Sequence, residues 1–188
     1  MNQAEMTVSY VRAKLDARTD DVRHYGPLVL LLIPGPAGTA SADIATALAE
    51  RFDCARFNIG KKTDAELFGA PAGYVGAAEG GALPNAVREA AANNNGLVIV
   101  ADDIETVSKK IWNQMLSFLD EGHVTDATGT AHAPKKTIIL MTTGRAAEQI
   151  AKDPSRAMQL LLADGNLQPE LLGRIHKVLP LQTDEALL

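Results

Sequence analysis

Residues 33–50 read IPGPAGTASADIATALAE, and the reading of this stretch decides the fold. A continuous apolar run, LVLLLI at 28–33, leads into it, and Gly35 and Gly38 punctuate the turn. Ile44, Ala47, Leu48 and Phe52 then fall on one helical face. A short apolar run bounded by Pro and Gly is how a strand buried on both sides of a parallel sheet reads. Strand, glycine turn and helix in that order look like a phosphate-binding loop, yet no lysine stands where the phosphates would need one. The pattern G-x-x-x-x-G-K-[ST] is met only at Gly35, because Ala40, Ser41 and Ala42 hold its last three positions. On these residues alone, a tight strand-to-helix turn that binds nothing remains open.

The unit repeats along the chain. A leading helix is expected over 6–17 and a second strand at 55–59 (ARFNI). A helix over 84–95 follows, opened by proline and closed by asparagines, and then the apolar strand GLVIVADD (96–103), which ends in acid. Val107, Ile111, Met115 and Leu119 continue as a helix, KTIILMTT (136–143) gives another strong strand, and HKVLPL (176–181) a short one. This alternation predicts an α/β fold with a parallel sheet and helices on both faces. In such sheets ligands sit beyond the carboxyl ends of the strands, so the loops after Ile33, Ala101 and Thr143 are the ones to examine.

Bulk properties narrow the classes. The 188 residues suit one domain, with residues 1–26 as leading helix and linker, and 46% hydrophobic content supports a real core. A net charge of −5 without a basic cluster argues against nucleic acid or an acidic membrane as partner. Cys54 is the one cysteine, so no internal disulfide forms, and a packing role is expected for it. There is no apolar stretch of about 20 residues and no leader pattern, so the cytoplasm is the expected compartment. His24, His123, His132 and His176 lack metal-site spacing and are assigned to surface or loop roles.

Six segments in order, beginning with the glycine turn, carry a resemblance. The others are FGAPAGYVGAAEGGAL (68–83), VIVADDIE (98–105), LSFLDEGHVTDATGT (116–130), TIILMTTG (137–144) and LQPELLGRIHKVLPL (167–181). Together they closely resemble the large α/β subdomain of the Clp-type AAA+ ATPases, the ring-forming unfoldases and disaggregases, in their second nucleotide-binding module. The resemblance covers roughly residues 8–182.

What it implies is position-specific. The degenerate phosphate loop spans Gly35, Pro36, Ala37, Gly38, Thr39, Ala40, Ser41 and Ala42, with Ser41 in place of the family's lysine and Ala42 in place of its magnesium-binding threonine. Asp102 takes the metal-holding position. Asp103 takes the place of the catalytic glutamate, one methylene shorter, which matters because general-base reach is tightly limited. Arg174 takes the position of the arginine finger that reaches a neighbouring subunit's phosphates, and Tyr74 with Val75 that of the substrate-gripping pore loop. Gly144 stands where the family has a sensor asparagine, and neither the adenine-bracketing segment nor the helical lid has a counterpart in the sequence. The expectation is a pseudo-ATPase with weak ATP and magnesium binding that acts through protein clients or AAA+ partner subunits in a ring. Two rivals stand beside it. One is a working ATPase in which Lys61, Lys62, Lys135 or Lys136 replaces the missing lysine, and the other a scaffold module that forms no ring.

Overall fold

Six consecutive apolar residues, Leu28–Ile33, form β1, and every one of them is buried, as a central parallel strand requires. A computed structural model of the chain describes residues 2–18, 26–33, 40–69, 80–125 and 129–181. In order, the described elements are α1 (Gln3–Asp16), β1, α2 (Ala40–Phe52), β2 (Cys54–Asn58), α3 (Asp64–Phe68), α4 (Ala82–Ala92), β3 (Gly96–Ala101), α5 (Lys109–Glu121), β4 (Val124–Thr125) and β5 (Ala131–His132). They continue with β6 (Thr137–Thr142), α6 (Ala147–Lys152), α7 (Ala157–Asp164), α8 (Pro169–Leu172) and β7 (Lys177–Pro180).

The main sheet has the order β2-β3-β6-β1-β7, with every neighbouring pair parallel. From β1 the chain crosses three places to the β2 edge, and every later crossover runs the other way. Right-handed crossovers in opposite directions put their helices on opposite faces. The core divides accordingly. Leu28, Leu30 and Leu32 pack with Val11 of α1 and Ile44, Ala45 and Leu48 of α2. Val29, Leu31 and Ile33 pack with Leu83 and Val87 of α4, Trp112 and Met115 of α5, and Leu161 of α7. The expected α/β class with helices on both faces is therefore what the chain adopts.

Several boundaries differ from the sequence expectation for local reasons. α1 begins at Gln3, because Asn2 and Glu5 form a reciprocal capping box. α4 begins at Ala82 with Pro84 inside its first turn, where proline costs no hydrogen bond, and it ends at Ala92. β3 ends at Ala101, so both acids of the run lie beyond the strand. The antiparallel pair β4–β5 was not expected from the sequence, since two-residue strands carry no readable period.

Gly69 and Gly81, which flank residues 70–79, approach each other closely. A Cβ on Gly81 would stand 2.2 Å from the Phe68 carbonyl carbon and 2.5 Å from the Gly69 amide nitrogen. Gly69 itself sits at φ +96, a backbone conformation that favours glycine. The described residues on either side of 70–79 are thus in backbone contact.

Candidate functional site

The crossover that leaves β1 runs one way and the one that leaves its neighbour β6 runs the other, so the crevice for a ligand opens at the carboxyl ends of β1 and β6. The register is level there. Leu32 pairs with Thr142 and Met141 with Ala101, which sets Asp102 beside Thr142 at the top of the sheet. Ser41, in the first turn of α2, faces the same point.

These three side chains meet. The Ser41 hydroxyl donates to Asp102 Oδ1 at 3.4 Å, and the Thr142 hydroxyl donates to the same oxygen at 3.3 Å. Thr142 Oγ1 in turn accepts the Asp103 amide at 2.9 Å. One buried hydroxyl therefore shapes the whole acidic turn, with its proton on Asp102 and a lone pair on the backbone of Asp103. Asp103 sits at φ 50 and ψ 56, left-handed, a conformation that aspartate tolerates better than most residues. Its carbonyl accepts from the Thr106 hydroxyl, and Trp112 Nε1 donates to the next carbonyl, that of Ile104. Asp102 and Asp103 are both exposed, at the mouth of the crevice.

At the end of β6 the Gly144 amide donates to Glu105 Oε1 at 3.3 Å, while Glu105 Oε2 is buried with no partner among the described residues. A Cβ on Gly144 would meet nothing nearer than that Glu105 oxygen, at 4.0 Å, so there is room for a side chain where the sequence has none. Beside it, a cavity of about 840 Å³ is walled by Ile33, Ala146, Ala147, Lys152, Pro180 and Leu181. Its size falls in the range of small-molecule sites.

The candidate residues do not all lie in one place. Gly35, Pro36, Ala37, Gly38 and Thr39 of the loop, and Tyr74 and Val75, lie outside the described residues, as does His24. Ala40, Ser41 and Ala42 open α2 beside the crevice. Arg174 is at the other edge of the sheet. α5 starts just after the acidic turn and runs back for 13 residues, about 20 Å at 1.5 Å per residue, and Asp120 near its far end holds Arg174. The Arg174 Nε donates to Asp120 Oδ1 at 2.7 Å and Nη2 to Oδ2 at 2.6 Å. An arginine so placed cannot serve the crevice of its own chain.

The lysines considered as replacements are also placed. Lys135 and Lys136 precede β6 at the amino edge, where the Lys136 ammonium lies over the Phe52 ring. Lys62 follows β2, three strands from β1, or about 14 Å at 4.8 Å per strand. It donates to the Asn58 carbonyl.

Sequence reasoning missed three participants. Thr142 could have been found as the polar end of an apolar run level with the acid. Asp120 carried no local signal. His176 lies exposed in the loop before β7, as expected, but its tie to β1 carried no sequence signal: its Nδ1 accepts from the Val29 amide at 3.1 Å and its own amide donates to the Val29 carbonyl at 2.9 Å. Burial, and then the positive charges of Arg18 and Lys14, push its pKa below the ordinary histidine value. Cys54 is half-buried, its thiol pushed up to about 11 chiefly by burial, which leaves it unreactive at neutral pH. Among the described residues no three His, Cys, Asp or Glu side chains gather to hold a metal ion, and no helix is long and apolar enough to cross a membrane.

Comparison with known proteins agrees with this architecture. Residues 31–178 match the family AAA domain (Cdc48 subfamily). The chaperone protein ClpB of Bacillus anthracis is 31% identical over 181 residues, which cover 85% of this chain and 20% of that protein. ClpB of Leptolyngbya boryana is 34% identical over 173 residues, covering 81% of this chain and 19% of that protein. That of Mesorhizobium japonicum is 31% identical over 199 residues, covering 95% and 22%. The chain thus spans about a fifth of the length of the curated relatives it matches. A sheet with its crevice at β1, the acidic turn at Asp102 and this match over most of the chain converge: it belongs to the AAA domain (Cdc48 subfamily) family, as a Clp-type AAA+ ATPase domain.

Proposed function

We propose that this chain is a degenerate Clp-like AAA+ domain, impaired in ATP binding and hydrolysis, that works by associating with other protein chains. One observation carries the reading. The position that should present a cation to the phosphates presents the Ser41 hydroxyl, which turns onto Asp102 instead, and the next residue, Ala42, has no oxygen for a metal.

Hydrogen bonds to charged groups are worth about 1.5–3 kcal/mol each, and about 1.4 kcal/mol is a factor of ten. Loss of both contacts weakens ATP by roughly two to four orders of magnitude on that scale. Asp102 is then the one side chain left from the usual donor set for magnesium, so the residues present do not fit a magnesium triphosphate. Asp103, one methylene short of a glutamate and exposed, stands further from any water it would activate. The distances of Lys62 and Lys136 from the crevice weigh against a replaced lysine.

The surfaces for other chains are retained by contrast. Arg174 is held at the end of α5 far from its own crevice, and Gly69 and Gly81, which flank the residues 70–79 that include Tyr74, are in close contact. In this reading residues 1–188 form one large α/β subdomain, its partners are AAA+ subunits or protein clients, and any anion held at the α2 N-terminus is held by backbone amides. Calorimetric titration of the whole chain with ATP and magnesium tests it. No saturable binding in the micromolar range is expected. Micromolar affinity accompanied by turnover overturns the reading.

A further inference from the structure

β2, Cys54–Asn58, closes one side of the main sheet and pairs with β3 alone. The Gly96 amide donates to the Asp53 carbonyl and the Ile59 amide to the Val100 carbonyl. Ala55 and Phe57 are in step with these two and turn their backbone groups to β3, so Cys54, Arg56 and Asn58, which alternate with them, turn theirs outward. Lys62 Nζ donates to the outward carbonyl of Asn58 at 3.1 Å. The N–H and C=O of Arg56 and the N–H of Asn58 have no partner among the described residues.

A free edge is a template for another strand unless proline, a bulge or a charge blocks it. β7, the opposite edge, ends in Pro180, which has no N–H to offer. β2 contains no proline, and its register with β3 runs without a bulge. Its one charged side chain leaves the edge open, because Arg56 Nη1 reaches back to the Thr46 hydroxyl of α2 at 2.9 Å. Ala55, Arg56 and Asn58 are exposed and Phe57 is half-buried. Phe57 packs on the α4 side of the core, so it and Ala55 make the apolar side of the edge, while Arg56 lies on the α2 side. Residues 53–62 carry Arg56, Lys61 and Lys62 against Asp53 alone, in a chain whose net charge is −5. A second copy fits this edge poorly. Antiparallel pairing of β2 with itself, centred on the outward Arg56, sets two arginines directly opposite each other, and like charges so placed destabilise a sheet.

We propose that the free edge of β2 receives an extended acidic segment of another protein, which joins the sheet as a further strand and sets an acidic side chain against Arg56. The inference rests on the association reading above and gives the chemistry of a partner at one surface. Backbone pairing with Arg56 and Asn58 supplies the attraction, and side chains that alternate along the segment supply the selection, acid toward α2 and apolar residue over Ala55 and Phe57. The five residues of β2 offer about 16 Å of edge at 3.3 Å per residue, enough for a segment of similar length.

The test uses the whole chain and two synthetic peptides, one alternating glutamate with valine and a twin with lysine in place of glutamate. Amide hydrogen exchange followed by NMR locates the binding. Without peptide, the Arg56 and Asn58 amides are expected to exchange at least about tenfold faster than those of Ala55 and Phe57. Excess glutamate peptide should slow them by at least about tenfold, and the lysine peptide should slow them less. A glutamate peptide N-methylated at every residue, which has no backbone donors, should bind at least about tenfold more weakly. Arg56→Glu should reverse the preference between the two peptides, which loss of the fold cannot do. Unchanged exchange at Arg56 and Asn58 in excess glutamate peptide, equal binding of the methylated peptide, or an unreversed preference in folded Arg56→Glu overturns the proposal. If Arg56→Glu does not fold, the methylated peptide decides on the wild type. Slowing of the same amides with protein concentration alone, together with a dimer in sedimentation, gives the edge to a second copy and overturns it too. Failure of the association reading registers separately, as saturable binding and turnover of magnesium ATP.

Discussion

Ser41 and Asp102 are joined side chain to side chain, hydroxyl to carboxylate oxygen at 3.4 Å, across the crevice at the carboxyl edge of the sheet. The contact is long, and both residues lie at the surface, so it holds little energy and is easily replaced. Substituting Ser41→Lys together with Ala42→Thr should therefore raise affinity for magnesium ATP by at least about a hundredfold, the lower bound for two restored contacts to charged groups. Each single change should give less. Calorimetry on the three variants checks this, and no gain in the double variant would show that the absent cation is not what limits binding.

How far the sequence announced this structure varies with the range of the interaction. β1, β3 and β6 were legible because strands buried on both faces are written as unbroken apolar runs, and the order of acid and glycine turns located the crevice. The pair β4–β5 and the run of short helices α6 to α8 were not, since elements of two to eight residues are set by their neighbours rather than by their own period. At the site, Ser41 could be read from the pattern of the glycine turn, and Asp102 and Asp103 from the family resemblance. The Thr142 hydroxyl that links the two acids, and the Asp120 carboxylate 54 residues from Arg174, depend on register and helix length, which no local pattern encodes.

Gly81 has an ordinary φ of −88, so an alanine there meets no dihedral strain and its effect is steric alone. The three nearest atoms are all backbone, of Leu67, Phe68 and Gly69, at 2.2–2.5 Å, and none can swing aside. Overpacking of this kind costs about 1–3 kcal/mol or more. Gly81→Ala should shift the urea midpoint well below that of Gly173→Ala, whose nearest neighbour would be 3.4 Å away. Equal midpoints would mean that Gly81 is not packed against Leu67, Phe68 and Gly69 as described.

His176 gives the fold a pH dependence with a definite sign. Its Nδ1 accepts the Val29 N–H, so the ring is neutral in the folded state, and Lys14 and Arg18 oppose protonation. A histidine with a lowered pKa contributes its stability in full above the unfolded value of 6.5. That contribution is lost as pH falls from 6.5 through the lowered folded value, because the unfolded chain takes up the proton first. In His176→Asn the amide oxygen can accept the same N–H without titrating. Urea unfolding of both proteins between pH 7.5 and 5.5 should show the wild type losing stability relative to the variant as the solution is acidified, and parallel curves would remove His176 from the account.

Trp112 ties the acidic turn to the core. It is 3% exposed, packs among Met115 and the β1 and β3 side chains, and gives its one polar hydrogen to the Ile104 carbonyl at 3.2 Å, two residues after Asp102 and one after the left-handed Asp103. Trp112→Phe keeps an aromatic ring in the core but removes one of the two donors to that carbonyl, which keeps the Val107 N–H at 3.3 Å, at a cost of about 0.5–1.5 kcal/mol before any cavity is counted. For a chain of this size about 1 kcal/mol moves the melting temperature by roughly 2–4 °C, so a drop of about 1–6 °C is expected by calorimetry. The same change should loosen the turn, and amide hydrogen exchange at Asp103 and Ile104 should speed up relative to that at β6. An unchanged melting temperature with unchanged exchange would mean that Thr142 alone holds the acids in place, because it is the other group that bonds this turn from across the sheet.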